Sequence, residues 1–352
     1  MLKKITFIIS LLFISSLAFS QAGNSVYSFL DLPVSSRLAA LGGSNISLRD
    51  NDLNFAFRNP ALLTSETSNT LGLNMANYLA DIQFGSAMYS YNINKKNYFA
   101  IGVQYVDYAA FQGRDELNQY TGDFTAKDMS LNLIYARPIT DKITVGATLK
   151  PIFSVFEAYT SFGLALDAGA NYNDVKNLFS AGLVLRNMGT QFKGYYSNED
   201  GQHYEPLPFD IQLGATKKLS HAPFRFSLTL HNLQHWDLSY SSLNQTSTSL
   251  GTSDTEEEEL DNNDIGFGDM LFRHSIVGVE FVPSKNFYLA ASYNHRRHQE
   301  LKMSGFKSMA GFSFGGGIKL YKFQVGFGMS QFQVGNYSYQ FSISTSLNEF
   351  KL

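Results

Sequence analysis

The chain has 352 residues, a formal net charge of −3, 16% charged residues and 14% aromatic residues. That balance leaves no basic stripe for nucleic acid, and few charges beside 30 Phe, 20 Tyr and 28 Gly suit a surface that need not face water. With no cysteine, disulfides, thiolate metal sites, a cysteine nucleophile and a cysteine-linked lipid anchor are excluded.

Residues 1–20 read as a secretory signal. Lys3 and Lys4 open it, 5–17 is an apolar run, and Ala18-Phe19-Ser20 places small residues before a cleavage at Gln21. The competing reading is a helical anchor, but the run is shorter than the ~20 residues a span needs. No later apolar run is long enough either, so any membrane crossing is expected through strands.

Residues 21–68 form a lead and a compact piece with its own punctuation. Gly42-Gly43 breaks the chain, Asp50-Asn51-Asp52 opens an amphipathic stretch, and Asn59-Pro60-Ala61 closes it. Proline fixes its own φ and biases Asn59 away from helix, so the motif predicts a backbone bend. Set before a long series of strands, this piece is predicted to be an internal plug, or hatch. Gly42, Gly43, Asn59, Pro60 and Ala61 are then architectural, not catalytic.

From Thr70 onward the pattern has period two. Phe224, Phe226, Leu228 and Leu230 alternate with Arg225, Ser227, Thr229 and His231; Tyr337, Tyr339, Phe341 and Ile343 alternate with Ser338, Gln340, Ser342 and Ser344. The polar face is mostly Gly, Ser, Thr and Gln, which suits a wet lumen better than the charged outer face of a soluble sandwich. About fourteen such segments are expected. They lie near 70–78, 81–93, 97–108, 128–138, 142–156, 160–173, 178–188, 209–219, 223–234, 271–282, 286–296, 309–320, 322–333 and 336–347. Every second connection is short, as at Thr140-Asp141 and Pro283-Ser284-Lys285, and the long ones at 109–127, 189–208, 235–270 and 297–308 all fall on the other side. This is the layout of a transmembrane outer-membrane β-barrel with tight periplasmic turns. The predicted fold is all-β: a fourteen-stranded antiparallel barrel over 69–352 behind a small N-terminal hatch.

Few residues suggest chemistry. The polar stretch 244–264 carries Asp254, the run 256–259 of Glu, Asp261 and Asp264, hard ligands for a cation. Their spacing fits no EF-hand, and a solvated loop is expected. His231 and His235 are expected on one strand face, without a third ligand at diagnostic spacing. His295-Arg296-Arg297-His298 forms a basic run that is solvated or faces anionic lipopolysaccharide. No GxSxG and no GK[ST] loop occurs; Gly315-Gly316-Gly317 reads as a strand packed closely over something inside the barrel. No enzyme, cofactor or metal site is expected. Tyr195, Tyr196, His203 and Tyr204 make the loop at 191–206 the candidate contact for a partner.

The run Ala39-Ala40-Leu41-Gly42-Gly43, the acids Asp50 and Asp52, and Phe57-Arg58-Asn59-Pro60-Ala61 resemble the hatch of FadL-like outer-membrane proteins. Those are fourteen-stranded barrels with an N-terminal plug and an Asn-Pro-Ala turn. With its lead, QAGNSVYSFLDLPVSSRLAALGGSNISL, the chain from Gln21 to Leu352 is most similar to the PorV/PorQ family, the FadL-like barrels of the Bacteroidetes type IX secretion system. The resemblance to its PorQ-like members implies a non-enzymatic component of the attachment complex. That component anchors a PorZ-like surface protein beside PorU- and PorV-like members, where cargo is processed and joined to anionic lipopolysaccharide. The alternative it implies is FadL-like uptake of hydrophobic small molecules, which needs an apolar pocket in the extracellular loops and an opening in the wall.

Overall fold

A computed structural model describes residues 25–78, 81–94, 96–198, 201–238, 266–301, 309–333 and 336–350. The cleavage region and the acidic stretch 254–264 lie outside the described residues.

Fourteen strands close into one antiparallel barrel. They are β1 (Thr70–Asn77), β2 (Gln83–Asn94), β3 (Asn97–Arg114), β4 (Tyr120–Pro138), β5 (Ile143–Phe156), β6 (Tyr159–Asp174) and β7 (Phe179–Lys193). Then come β8 (Asp210–Lys218), β9 (Phe224–Leu230), β10 (Ser275–Ser284), β11 (Phe287–Asn294), β12 (Phe312–Leu320), β13 (Phe323–Gln333) and β14 (Asn336–Ser346). Closure comes from β1 pairing β14, Thr70 opposite Ser346 through Asn77 opposite Tyr339. A closed sheet has no edge, so every spanning backbone group finds its partner without water.

The period-two pattern sorts the side chains. On β5, Ile143, Val145 and Leu149 are exposed on the outer wall, whereas Thr144, Thr148 and Lys150 are buried inside. Large apolar residues outside and small or polar residues inside is the arrangement hydrocarbon demands of a barrel. Among the described residues no helix is long and apolar enough to cross a membrane.

Three expectations need correction. The predicted loop 109–127 is mostly strand: β3 and β4 continue as a hairpin, pairing Ala110 with Thr125 and Arg114 with Tyr120. Shifts of register at Asp107/Ala110 and Gly113/Arg114 hid this continuation from a strict alternation. Second, the strand expected at 223–234 stops at Leu230; Asn232 takes a left-handed φ of 55°, so His231 and His235 do not share a strand face. Third, the strand expected at 286–296 ends at Asn294, and 295–300 turns helical behind the Asn294 side chain, which accepts from the Arg297 amide.

The hatch fills the lumen. It comprises a 3-10 turn (Ser28–Asp31), helix α1 (Ser36–Ala40) and two further 3-10 turns (Leu53–Phe57 and Pro60–Leu62). α1 lies against β12, β13 and β14, and the Pro60–Leu62 turn against β4, β5 and β6.

Candidate functional site: the hatch and the long-loop rim

The hatch is shaped by its own sequence. Ser35 caps α1 by accepting from the Leu38 amide at 3.3 Å. Gly42 and Gly43 end the helix with φ of 84° and 100°, and the Gly43 amide reaches back to the Leu38 carbonyl at 2.8 Å. Side chains rarely adopt that backbone, so glycine is required here. Neither position has room to spare: a Cβ on Gly42 would collide with the Ile276 side chain, and one on Gly43 would stand 3.2 Å from Arg297 Nη2.

Asn59 is the joint of the second half. Its Oδ1 accepts from the Ala61 amide at 3.0 Å, and its Nδ2 donates to the carbonyls of Ile46 at 2.8 Å and Ala170 at 3.3 Å. Pro60 opens the following turn, where a missing N–H costs nothing. The wall makes room with three inward glycines on adjacent strands. A Cβ on Gly146 would sit 2.8 Å from the Pro60 carbonyl carbon, and one on Gly169 or Gly182 would strike Asn59 Oδ1 or the Ile46 carbonyl. Gly315 likewise faces Ala40 of the hatch, whereas Gly316 and Gly317 pack against Leu289 and the Tyr288 ring of the neighbouring strand β11, so only the first glycine of the run lies over the hatch.

Hydrogen bonds tie the hatch to strands all round the barrel. Ser342 Oγ (β14) accepts from the Ser36 amide at 2.8 Å, and Ser292 (β11) donates to the Ala40 carbonyl at 2.8 Å. Ser44 donates to Gln212 on β8 at 2.8 Å, Ser47 pairs with Thr216 at 2.7 Å, and Ser86 (β2) donates to the Val34 carbonyl at 2.9 Å.

Charges complete the attachment. Arg37 is buried and meets Asp50 at 2.8 Å, Asp52 at 3.6 Å and wall residue Glu280 at 2.9 Å, with its guanidinium 4.3 Å from the Tyr288 ring centroid. Arg225 on β9 joins the same group through Glu280 at 2.7 Å and Asp50 at 3.3 Å. Burial raises the Asp50 carboxyl, but Arg37 and Arg225 outweigh it and hold the group below its usual value. Asp52 lies above its usual value, because burial there prevails over Arg37 and the neighbouring Asp50 adds to the rise. At the short-turn end this network borders a cavity of about 410 Å³ lined by Arg49, Glu66, Asp174 and Lys218.

A second buried group fastens the lead. Arg58 donates to the carbonyls of Leu30 at 3.3 Å, Asp31 at 2.8 Å and Leu32 at 2.7 Å, and Arg186 on β7 to Leu30 at 3.0 Å. Burial, with the Arg186 charge beside it, pulls the Arg58 guanidinium down to about 9, still cationic at neutral pH. A bulge in β7 turns both Arg186 and Asn187 into the lumen, where Asn187 Oδ1 accepts from Lys150 at 3.0 Å and Lys150 meets Asp167 at 2.5 Å.

The lead reaches the long-loop rim, where the Val26 amide donates to the Pro206 carbonyl at 3.0 Å. There the four predicted contact residues separate. Tyr195 turns inward, its ring 5.5 Å from Phe156 and 6.5 Å from Tyr27, and its hydroxyl bonded to Ser154. Tyr196, His203 and Tyr204 are exposed. The basic run at 295–298 is committed internally. His295 meets Asp269 at 2.8 Å, Arg296 meets Glu300 at 2.6 Å, Arg297 reaches the Gly42 carbonyl at 3.3 Å, and His298 Nδ1 lies 2.8 Å from the Ala310 carbonyl. All four side chains are half-buried and each has a partner within the chain. Among the described residues no group of three or more His, Cys, Asp or Glu is placed to hold a metal.

Arg37, Arg186 and the Lys150–Asp167 pair stand in no motif, and Arg58 stands in one only as a neighbour of Asn59. Two signals were legible: Lys150 falls on the polar register of an alternating segment, and charged lumen positions need partners. Which partners, only the hatch reveals.

No family model matches the chain, and no curated protein matches it. Solved structures do. A mutant of the monoaromatic hydrocarbon channel TodX superposes with a TM-score of 0.52 at 12% identity, over 89% of this chain and 97% of that one. The Pseudomonas putida toluene transporter TodX gives 0.50 at 11%, over 89% and 97%. A Pseudomonas aeruginosa FadL homologue gives 0.49 at 11%, over 89% and 98%. At this identity the likeness carries the fold alone: a closed, fourteen-stranded antiparallel barrel of the kind seen in the TodX structures.

Proposed function

We propose that this barrel is a non-enzymatic surface anchor: the outer-membrane component of a type IX attachment complex that holds a PorZ-like protein at the long-loop rim. One observation carries the reading. The hatch is fastened to β2, β8, β10, β11 and β14 by side-chain bonds and charges, so the lumen is occupied by fixed structure and the rim is the surface left to work. The resemblance of the lead and hatch to the PorV/PorQ family supplies the partners, PorZ-, PorU- and PorV-like, and the anionic lipopolysaccharide to which cargo is attached. Tyr196, His203 and Tyr204 are the contact, and Tyr195 holds their loop in place.

Affinity purification in mild detergent tests this. A surface protein should co-purify with the wild type and be lost from the Tyr196→Ser/Tyr204→Ser variant while the barrel stays folded. Undiminished capture by that variant removes the contact, and no capture by the wild type removes the anchor.

A second reading is uptake of hydrophobic small molecules. It is favoured by the shared fold with TodX, and the solved structures speak for it more directly than for the anchor. Retention of radiolabelled fatty acid or toluene by the purified barrel, with no partner present, selects this reading.

A further inference from the structure

The wall is not equally tall all round. β3 and β4 have 18 and 19 residues, but β9 has 7 and β11 has 8. At about 3.4 Å per residue and a tilt of about 40°, the short strands rise roughly 18–21 Å, against an apolar band of about 25 Å. β9 and β11 therefore fall short of that band by several ångströms, whereas β10 between them, with 10 residues, spans it.

A second helix, α2 (Phe267–Arg273), runs straight into β10 at this place. Met270 is its buried residue, beneath Leu238, whose amide lies 3.3 Å from the Met270 sulfur. Phe267, Leu271 and Phe272 are 72%, 41% and 60% exposed, and Trp236, stacked 5.3 Å from Phe267 and 5.1 Å from His274, is 48% exposed. Three exposed apolar residues on one seven-residue helix, with Trp236 stacked against its first residue, would be costly to leave in water. The patch continues into the outer wall: Phe272 meets the His295 ring at 6.0 Å, His295 meets Tyr293 at 6.0 Å, and Tyr293 meets Phe312 at 4.8 Å. The charges alongside are paired, Asp269 with Arg273 at 2.7 Å and with His295 at 2.8 Å.

We propose that α2 and Trp236 are a lipid-binding foot of the barrel, seated at the boundary between headgroups and acyl chains of the outer leaflet. They supply the apolar height that β9 and β11 lack. The occupant is the lipid surface because the patch is continuous with the lipid-facing wall and carries aromatic residues whose rings favour that boundary.

Trp236 is the only tryptophan in the chain, so its fluorescence reads the patch without any mutation. The purified protein is reconstituted in phosphatidylcholine vesicles whose acyl chains are brominated near the headgroup end. Emission should fall by roughly half or more relative to unbrominated vesicles, as expected of an interfacial indole. The Leu271→Asn/Phe272→Asn variant should lose most of that quenching. Unchanged emission in brominated vesicles overturns the proposal, whether aqueous iodide quenches the residue (a wet patch) or does not (a patch covered by protein).

Discussion

Asn59 shows how much one side chain settles. It satisfies an amide and two carbonyls that have no water to turn to. Asn59→Leu leaves them unpaired, at about 1–3 kcal/mol each. Loss of the compact, heat-modifiable band at a lower temperature than wild type is the expected readout, and an unchanged transition would strip Asn59 of this role. Arg37 carries more. Replacing it by Met leaves Asp52 without a cation and Glu280 and Asp50 with Arg225 alone, and breaking a buried pair this way costs about 3–5 kcal/mol. The same heating assay should show Arg37→Met as the weaker barrel of the two.

At the scale of elements, the β7 bulge couples the wall to the hatch. Asn187 has a φ of 56°, which asparagine tolerates and a β-branched residue does not. Asn187→Gly keeps the backbone but loses the bond to Lys150, whereas Asn187→Val loses both. Denaturation midpoints should therefore rank wild type above Asn187→Gly above Asn187→Val. Equal midpoints for the two variants would show that the bulge is held by the ladder alone. The long hairpin of β3 and β4 makes a related point. Bulges shift its register without ending it, so an alternation rule reads a loop where the chain continues as a strand.

For the whole molecule, fastening predicts both pH behaviour and permeability. Asp50, held below its usual value, contributes stability that is present above about pH 4 and is lost as pH falls through its folded value. Asp52, held above its usual value, has the opposite sign: it takes up its proton in the folded state first, and its contribution grows as pH falls. Asp50 therefore contributes to the acid-labile limb at low pH, and Asp50→Asn should be less stable than wild type at neutral pH and should lack that share of the limb. A wild-type acid limb unaltered in Asp50→Asn would assign it elsewhere. With the hatch in place the barrel should also be silent in planar bilayers, and steady ohmic conductance would show an open lumen.

The strands, their number, the sorting of long and short connections and the two faces of each strand were determined by local sequence, because lipid outside and a polar lumen inside impose a strict two-residue period on every segment. Gly42-Gly43 and Asn59-Pro60-Ala61 were legible for a similar reason, since a left-handed cap and a fixed bend restrict which residues fit. Tertiary structure alone decided the rest. Arg37 meets Glu280 across 243 residues of chain, and Asn59 rests on glycines more than eighty residues away that look like any other small residue in a strand. Tyr195 and Tyr196 are neighbours of the same chemistry, yet one is packed beneath the loop and the other faces solvent. No spacing rule separates them, because partners of buried groups are chosen by closure of the barrel around its hatch, and closure joins segments whose separation along the chain carries no periodicity to read.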